Sequence, residues 1–271
     1  MPDGCQSPQL YRGPNAVRVF IERMKDEVEK IFKLYKNVVP MEPLTPEEEV
    51  DFESAVICHI CEKKLNPDRV RDHDHLIGKY RRPAHDFCNI QYKIPNFLPV
   101  FIHNLSSYDG HFLVRELDYD DRKIFVIPNT EEKYISFAKS VESNFSIRFI
   151  DTCRFMHASL ATLVSNLREF KYTSEIFGVR TSLVPRKGVF PYDYTDSIDR
   201  LEETSLPKKV KFFNRLTDEH ISDSDYAHAL RVWHSFKCKN LGEFSDIYLM
   251  SDVTLLADVF ENFRDVCFNA Y

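Results

Sequence analysis

Two pairs of metal-binding side chains, each with two residues between its members, constrain this chain more than any other feature. They are Cys58-His-Ile-Cys61 and His85-Asp-Phe-Cys88. Such spacing lets both members of a pair reach one ion from a tight turn. Together Cys58, Cys61, His85 and Cys88 make a tetrahedral Cys3His set suited to structural zinc. Chance coincidence is the competing explanation, and two correctly spaced pairs so close together argue against it. The chain has seven cysteines, an odd number, and three of them lie in this block. That clustering favours a metal over disulfides, and hence a reducing, intracellular location over secretion.

A metal alone does not fold the rest. With 271 residues, 43% of them hydrophobic, the chain can bury one large core or two smaller ones. Seven glycines and the lack of low-complexity tracts argue against a linker-rich or disordered protein. The net charge of −6 does not suggest a generic polyanion binder but leaves room for a nucleic-acid enzyme, because local patches matter more than the sum. No run approaches the roughly 18 apolar residues a membrane span needs, and no secretory signal opens the chain.

Along the chain, residues 16–35 carry Val17, Phe20, Ile21, Met24, Val28, Ile31 and Phe32 at helical spacing, which predicts an amphipathic packing helix. Thr45 and Pro46 open a short acidic helix at 44–55. After the Cys/His block, Val100–His103 reads as a strand, and Tyr108–Leu117 as a helix with Phe112, Leu113 and Leu117 on one face. Asp109 then falls near a helix start at a strand end, where open α/β sheets meet their ligands. Asn104, Ser106, Ser107 and Asp109 are also ordinary helix-capping types. A strand at 124–128 precedes two longer ones, 133–141 and 145–156, that read as a hairpin. A helix is expected at 159–170, an irregular Pro-punctuated stretch at 171–221, and a helix from Ser222 through Trp233. The last helix, 244–267, has Val253, Leu256, Phe260 and Phe263 as its apolar stripe. Tyr248 and Asp252 are four apart on it and share a face. Such a pair, joined by a carboxylate from another element, suits two-metal phosphodiester hydrolysis, and otherwise is simply a solvated face.

Between the zinc pairs lies Asp72-His73-Asp74-His75, and Asn89 follows the last ligand. These residues resemble phage recombination endonuclease VII, an HNH-like nuclease built on a zinc-held ββα unit. The likeness runs from Cys58 to Lys93. Arg82 stands where that pattern has glycine, and His85 where it has cysteine. The resemblance implies that Asp72 and Asn89 hold a divalent ion, that His73 accepts a proton from water, and that His75 assists at the phosphate. A degenerate finger kept for structure or DNA contact is the alternative. Lys63, Lys64, Arg69, Arg71, Lys79, Arg81, Arg82 and Lys93 make this the most basic region, so Arg71, Lys79 and Arg81 are expected at DNA phosphates.

The segments "HNLSSYD" and "YLMSD" resemble the second and third exonuclease motifs of protein-primed family B DNA polymerases. "EEKYISF", "RFIDTCRFMHASLATLV", "KGVFPYDYTDS", "LTDEHISDSDYAHALRVW" and "SDVTLLADVFENFRDV" are similar to polymerases of Maverick/Polinton transposons and related viruses. In those proteins an endonuclease VII-like finger interrupts the exonuclease domain before its second motif. The resemblance implies an α/β, ribonuclease H-like 3′→5′ exonuclease fold with an inserted zinc-bound ββα module. It divides the chain into a helical segment 1–55, a zinc module 56–93 and an exonuclease-like domain 94–271. By the same resemblance Asp109 and Asp252 bind catalytic Mg²⁺ or Mn²⁺, Tyr248 positions water, and Asn104 contacts a single-stranded 3′ end.

Two decoys are set aside. Asp51 and Glu53 have the Asp-x-Glu spacing of the first exonuclease motif, but their context is a charged helix rather than an apolar strand. The family's true motif lies upstream of "LYRGPNAV", so the chain is expected to begin after it. "YDYTDS" has Tyr194 where a polymerase motif needs aspartate, and no nucleotide-binding motif follows Asp252. Three functions result: the exonuclease region of a DNA polymerase, without a palm and with little exonuclease activity of its own; a metal-dependent endonuclease acting through residues 58–89; and a non-catalytic, zinc-stabilised DNA-binding protein. The partners expected are DNA, with a 3′ end or a branch, and the rest of a polymerase. The expected place is the nucleus or a viral factory.

Overall fold

The computed structural model describes residues 6–92, 95–107, 109–128, 130, 134–142 and 144–270. Its contacts divide the chain into two compact units, one formed by Pro14–Thr152 and the other by Met1–Gly13 with Cys153–Tyr271. No described helix is long and apolar enough to cross a membrane.

The first unit is a mixed α/β assembly. Helix α1 (Ala16–Lys36) follows the predicted periodicity and buries Ile21 and Val28 completely or nearly so. Helix α2 (Pro46–Ser54) starts with a capping box, in which Thr45 and Glu48 exchange hydrogen bonds, and has Pro46 in its first turn. Asp51 and Glu53 therefore do lie on a helix. Strands β1 (Arg69–His73) and β2 (Tyr80–His85) form an antiparallel pair that leads into helix α3 (Asp86–Gln91), a ββα arrangement. The main sheet follows: β3 (Phe97–Ile102), β4 (Ile124–Pro128), β5 (Tyr134–Glu142) and β6 (Phe145–Asp151), in the order β3-β6-β5-β4. β3 runs parallel to β6 and the other pairs are antiparallel. Inward residues alternate along β5 and β6, so Phe137, Val141, Phe145, Ile147 and Phe149 form a core with Ile21 and Val28 of α1 and Leu113 and Leu117 of helix α4 (Asp109–Glu116) and its end. Phe112, expected on α4's apolar face, is exposed; one helical face this short buries Leu113 instead. Tyr108, expected to open α4, lies outside the described residues.

The second unit is helical. Ser159 caps α5 (Leu160–Ser165), which stops sooner than expected, and a separate helix α6 (Lys171–Phe177) follows. The expected strand at 145–156 ends at Asp151, where a short 3-10 turn takes over. Helix α7 (Asp223–Phe236) begins at the Ser222 cap as predicted. Helix α8 (Leu241–Ala270) is longer than expected at both ends. Leu255 and Val259 form its buried seam against Met156, Leu160 and Val164, whereas Val253, expected in that stripe, is exposed. A second cluster joins Trp233 and Val232 of α7 to Leu241 and Phe244 of α8.

Candidate functional site

The zinc set is assembled as the spacing requires. The donor atoms of Cys58, Cys61, His85 and Cys88 all lie within 4.8 Å of one another. Among the described residues this is the one convergence of three or more His, Cys, Asp or Glu donors. Cys58 and Cys61 sit on a turn in which the Glu62 amide donates to the Cys58 carbonyl, with Glu62 in the left-handed region at φ 58°. His85 and Cys88 stand at the start of α3. His85 Nδ1 faces Cys61 Sγ at 3.4 Å and Cys88 Sγ at 3.7 Å, while its Nε2 meets the Lys64 carbonyl at 2.9 Å. That carbonyl fixes the ring with Nδ1 turned to the sulfurs, the outer contact that metal-bound histidines use. Burial pushes the Cys58 thiol up, but the backbone amides of Cys61, His85 and Ile60 outweigh it and bring its pKa to about 6. Cys88 moves the other way, to about 11, through desolvation and its hydrogen bonds to Cys61 and Cys58. Three sulfurs and one imidazole nitrogen are the donor set zinc prefers, so the residues fit the ion.

The acid–histidine run behind the zinc set is less open than expected. Asp72 is fully buried, with its Oδ2 2.8 Å from His59 Nε2 and its Oδ1 accepting from Arg81 at 2.9 Å. Both oxygens are thus engaged, one of them by the residue between the two zinc cysteines. Arg81 also donates to the His73 carbonyl at 3.0 Å and lies over the Tyr92 ring. The rings of His73 and His75 lie side by side, centroids 4.4 Å apart. Burial and then the His75 charge lower the His73 pKa, which keeps its ring neutral and proton-accepting near pH 7. Asn89 is partly exposed on α3 next to Cys88. Of the expected phosphate contacts, Arg71 pairs with Glu49 at 3.2 Å and stacks on Phe52. Lys79 is exposed.

At the end of β3, Asn104 adopts a left-handed backbone at φ 63°, and a 3-10 turn over Leu105–Ser107 carries the chain to Asp109. Asp109 stands at the surface; partial burial first and the neighbouring Asp151 second raise its pKa. Asp109 belongs to the first unit, whereas Tyr248 and Asp252 belong to the second.

In the second unit, Tyr248 and Asp252 occupy successive turns of α8. Tyr192 Oη donates to Tyr248 Oη at 2.8 Å, and the rings of Phe190 and Tyr192 pack on Tyr248. Gly188 allows this approach, because a Cβ there would lie 3.0 Å from the Tyr248 ring. Burial raises the Asp252 pKa, while the Lys187 ammonium and the Tyr248 hydroxyl pull against it. Burial and the Asp252 charge raise that of Tyr248. Asp252 Oδ1 is buried with no hydrogen-bond partner. A buried carboxylate oxygen without a donor is uncommon and suits a site that receives a cation.

Sequence reasoning named the two α8 residues but missed Lys187 and Tyr192, which reach them from the irregular stretch. It also missed His59, although that residue stands inside the Cys58–Cys61 pair. Asp258, also on α8, accepts from the amides of Tyr172 and Thr173 and from the Thr173 hydroxyl, and so caps α6. No known protein family, curated protein or solved structure matches this chain.

Proposed function

We propose that this chain covers the 3′→5′ exonuclease region of a protein-primed, Maverick/Polinton-type family B DNA polymerase, with an inserted zinc-held endonuclease VII-like module, and that it holds DNA. The observation carrying this reading is the Lys187–Tyr192–Tyr248–Asp252 group, in which a buried carboxylate oxygen lacks a donor beside a positioned phenol. A mixed sheet in which β3 delivers Asn104 and Asp109 from its C-terminal end accords with a ribonuclease H-like arrangement. On this reading Asp252 of α8 and, in the other unit, Asp109 are each carboxylates for magnesium or manganese, which when bound supplies charge to the phosphate and acidity to water. Tyr248 and Lys187 would orient water and phosphate beside Asp252, and Asn104 would contact the 3′ end.

Exonuclease activity of this chain alone is expected to be slight. Among the described strands none carries an Asp-x-Glu pair, and on α2 Asp51 accepts from Tyr80 while Glu53 pairs with Arg69.

A second reading for the module is favoured by one observation, the engagement of both Asp72 oxygens. An HNH-type cut through Asp72, His73 and Asn89 requires Asp72 to leave His59 and Arg81, so a zinc finger that binds DNA without cutting fits this geometry better. The deciding experiment incubates zinc-loaded protein and Mg²⁺ or Mn²⁺ with end-labelled single-stranded, duplex and branched DNA. Wild type, Asp252→Ala and His73→Ala are compared. Binding that is strongest for strands with a free 3′ end, with at most slow shortening abolished in Asp252→Ala, supports the exonuclease-region reading. Internal cuts lost in His73→Ala would replace it with an endonuclease, and no binding to any DNA would refute it.

A further inference from the structure

Asp151 ends β6 at the same rim where its parallel neighbour β3 ends, with Ile102 opposite it in register. Its carboxylate is 2% exposed, yet it is not a spare acid in the core. One oxygen, Oδ2, accepts both the Ser106 amide at 2.9 Å and the Ser106 hydroxyl at 2.6 Å. Next to it, Thr152 Oγ1 meets His103 Nδ1 at 2.9 Å. Two consecutive residues of β6's end thus grip the segment that follows β3, on either side of Asn104. That grip is placed where the backbone needs it. Asn104 is held at φ 63°, in the left-handed region that asparagine enters more readily than other side-chain-bearing residues, and then as a single residue. Leu105 and Ser106 are buried immediately after it, so the turn cannot relax outward without uncovering them.

We propose that Asp151 is a positioning residue for the Asn104–Asp109 loop, setting the direction in which Asn104 and Asp109 are presented through its two bonds to Ser106. It does not act on a ligand directly, since the oxygen facing the loop is occupied. Its charge also lies close enough to Asp109 to raise that residue's pKa, so loop geometry and carboxylate chemistry are coupled at one rim. The tether itself is independent of any ligand; its consequence for DNA rests on the exonuclease-region reading.

The two parts are tested separately on the full chain. Hydrogen exchange at the Ser106 amide reads the tether. Asp151→Ala should speed it at least tenfold, whereas Asp151→Asn, whose amide oxygen can accept both bonds, should stay within threefold of wild type. Fluorescence anisotropy then compares an oligonucleotide bearing a free 3′ hydroxyl with the same strand blocked there, in Ca²⁺. The preference for the free end should be lost in Asp151→Ala and in Asn104→Ala, and kept in Asp151→Asn. Should Asp151→Ala not fold, Ser106→Ala, which removes only the hydroxyl bond, should give intermediate exchange across 103–107. Unchanged Ser106 exchange in Asp151→Ala or in Ser106→Ala, or an Asp151→Asn variant as impaired as Asp151→Ala, overturns the proposal. A wild-type chain with no preference for a free 3′ end overturns the exonuclease-region reading instead, and Ser106 exchange still decides the role of Asp151.

Discussion

Stripping zinc should unfold residues 56–92 and leave the main sheet of the same unit folded. Within that stretch the buried apolar side chains are Cys58, Pro83 and Ala84, while Val56, Ile57, Phe87, Ile90 and Tyr92 are all exposed. Three small side chains supply on the order of 2–3 kcal/mol. So little buried apolar surface cannot hold the module by itself. A structural zinc in a small module contributes about 10–16 kcal/mol near pH 7. The sheet needs no such help, since Phe137, Val141, Phe145, Ile147 and Phe149 pack against α1 and α4. Hydrogen exchange before and after chelation is the assay, with bound zinc counted on the untreated protein. Protection at the Cys58, Glu62 and Tyr92 amides, which all donate within the module, should vanish, and protection along β5 and β6 should persist. Cys88→Ser should behave like chelation. Zinc affinity should also fall steadily as pH drops, because the ion must displace the Cys88 proton at neutral pH and, below about 6, the Cys58 proton as well. Module amides that stay protected in the chelated chain, or a zinc content far below one per chain, would refute the reasoning.

Asp252 holds its proton more tightly in the folded chain than in the unfolded one, so it favours folding at low pH and loses that contribution as pH rises through its raised folded value. Asp252→Asn should therefore be more stable than wild type at pH 7, the gain shrinking as pH falls and vanishing below pH ~4, as followed by thermal melts across pH. Asp258→Ala should cost about 2–3 kcal/mol in denaturant titration, because three donors of α6 lose a buried acceptor. Gly188→Ala should displace the Tyr248 ring and cost about 1–3 kcal/mol, with changed ring-current shifts at Phe190 as the readout. Lys139 is fully buried, bonded to the carbonyls of Asp120 and Arg122 and paired with the Asp120 carboxylate at 2.7 Å. Asp120→Ala should cost about 2 kcal/mol or more by leaving that ammonium short of a partner, and Lys139→Met distinctly less, as measured by denaturant midpoints.

What could be seen in the sequence and what could not divide along a physical line. Patterns carried by adjacent turns were legible: the heptad-like spacing of α1, the Thr45–Glu48 capping box, the alternation of β5 and β6, and the Cys/His pairs. Each depends on local geometry with a fixed period, so residue order alone reports it. Helix α6 was not legible, because the group that stabilises its start, Asp258, lies on α8 and is far away in sequence. Val253 misled for a related reason. Over a helix as long as α8 the apolar positions change face, and only the partners Met156, Leu160 and Val164 show that Leu255 and Val259 form the buried seam.

The same distinction separates charged residues that are available from those that are not. Counting lysines and arginines makes the zinc module look like a basic patch, but Arg69 and Arg71 face Glu53 and Glu49 across Phe52, and Arg81 is spent on Asp72. The acidic helix α2 therefore neutralises one part of the module's positive charge, whereas Lys79 and Arg82 stand exposed. Acidic residues sort in the same way. Asp72 and Asp258 are buried with both oxygens engaged, and Asp151 is buried with its Oδ2 accepting twice from Ser106, so these carboxylates hold turns and helix starts. Asp252 differs from all three in having a buried oxygen with no donor at all. The unpaired oxygen beside a hydrogen-bonded phenol is thus what sets Asp252 apart, and it is the feature on which the proposed cation role rests.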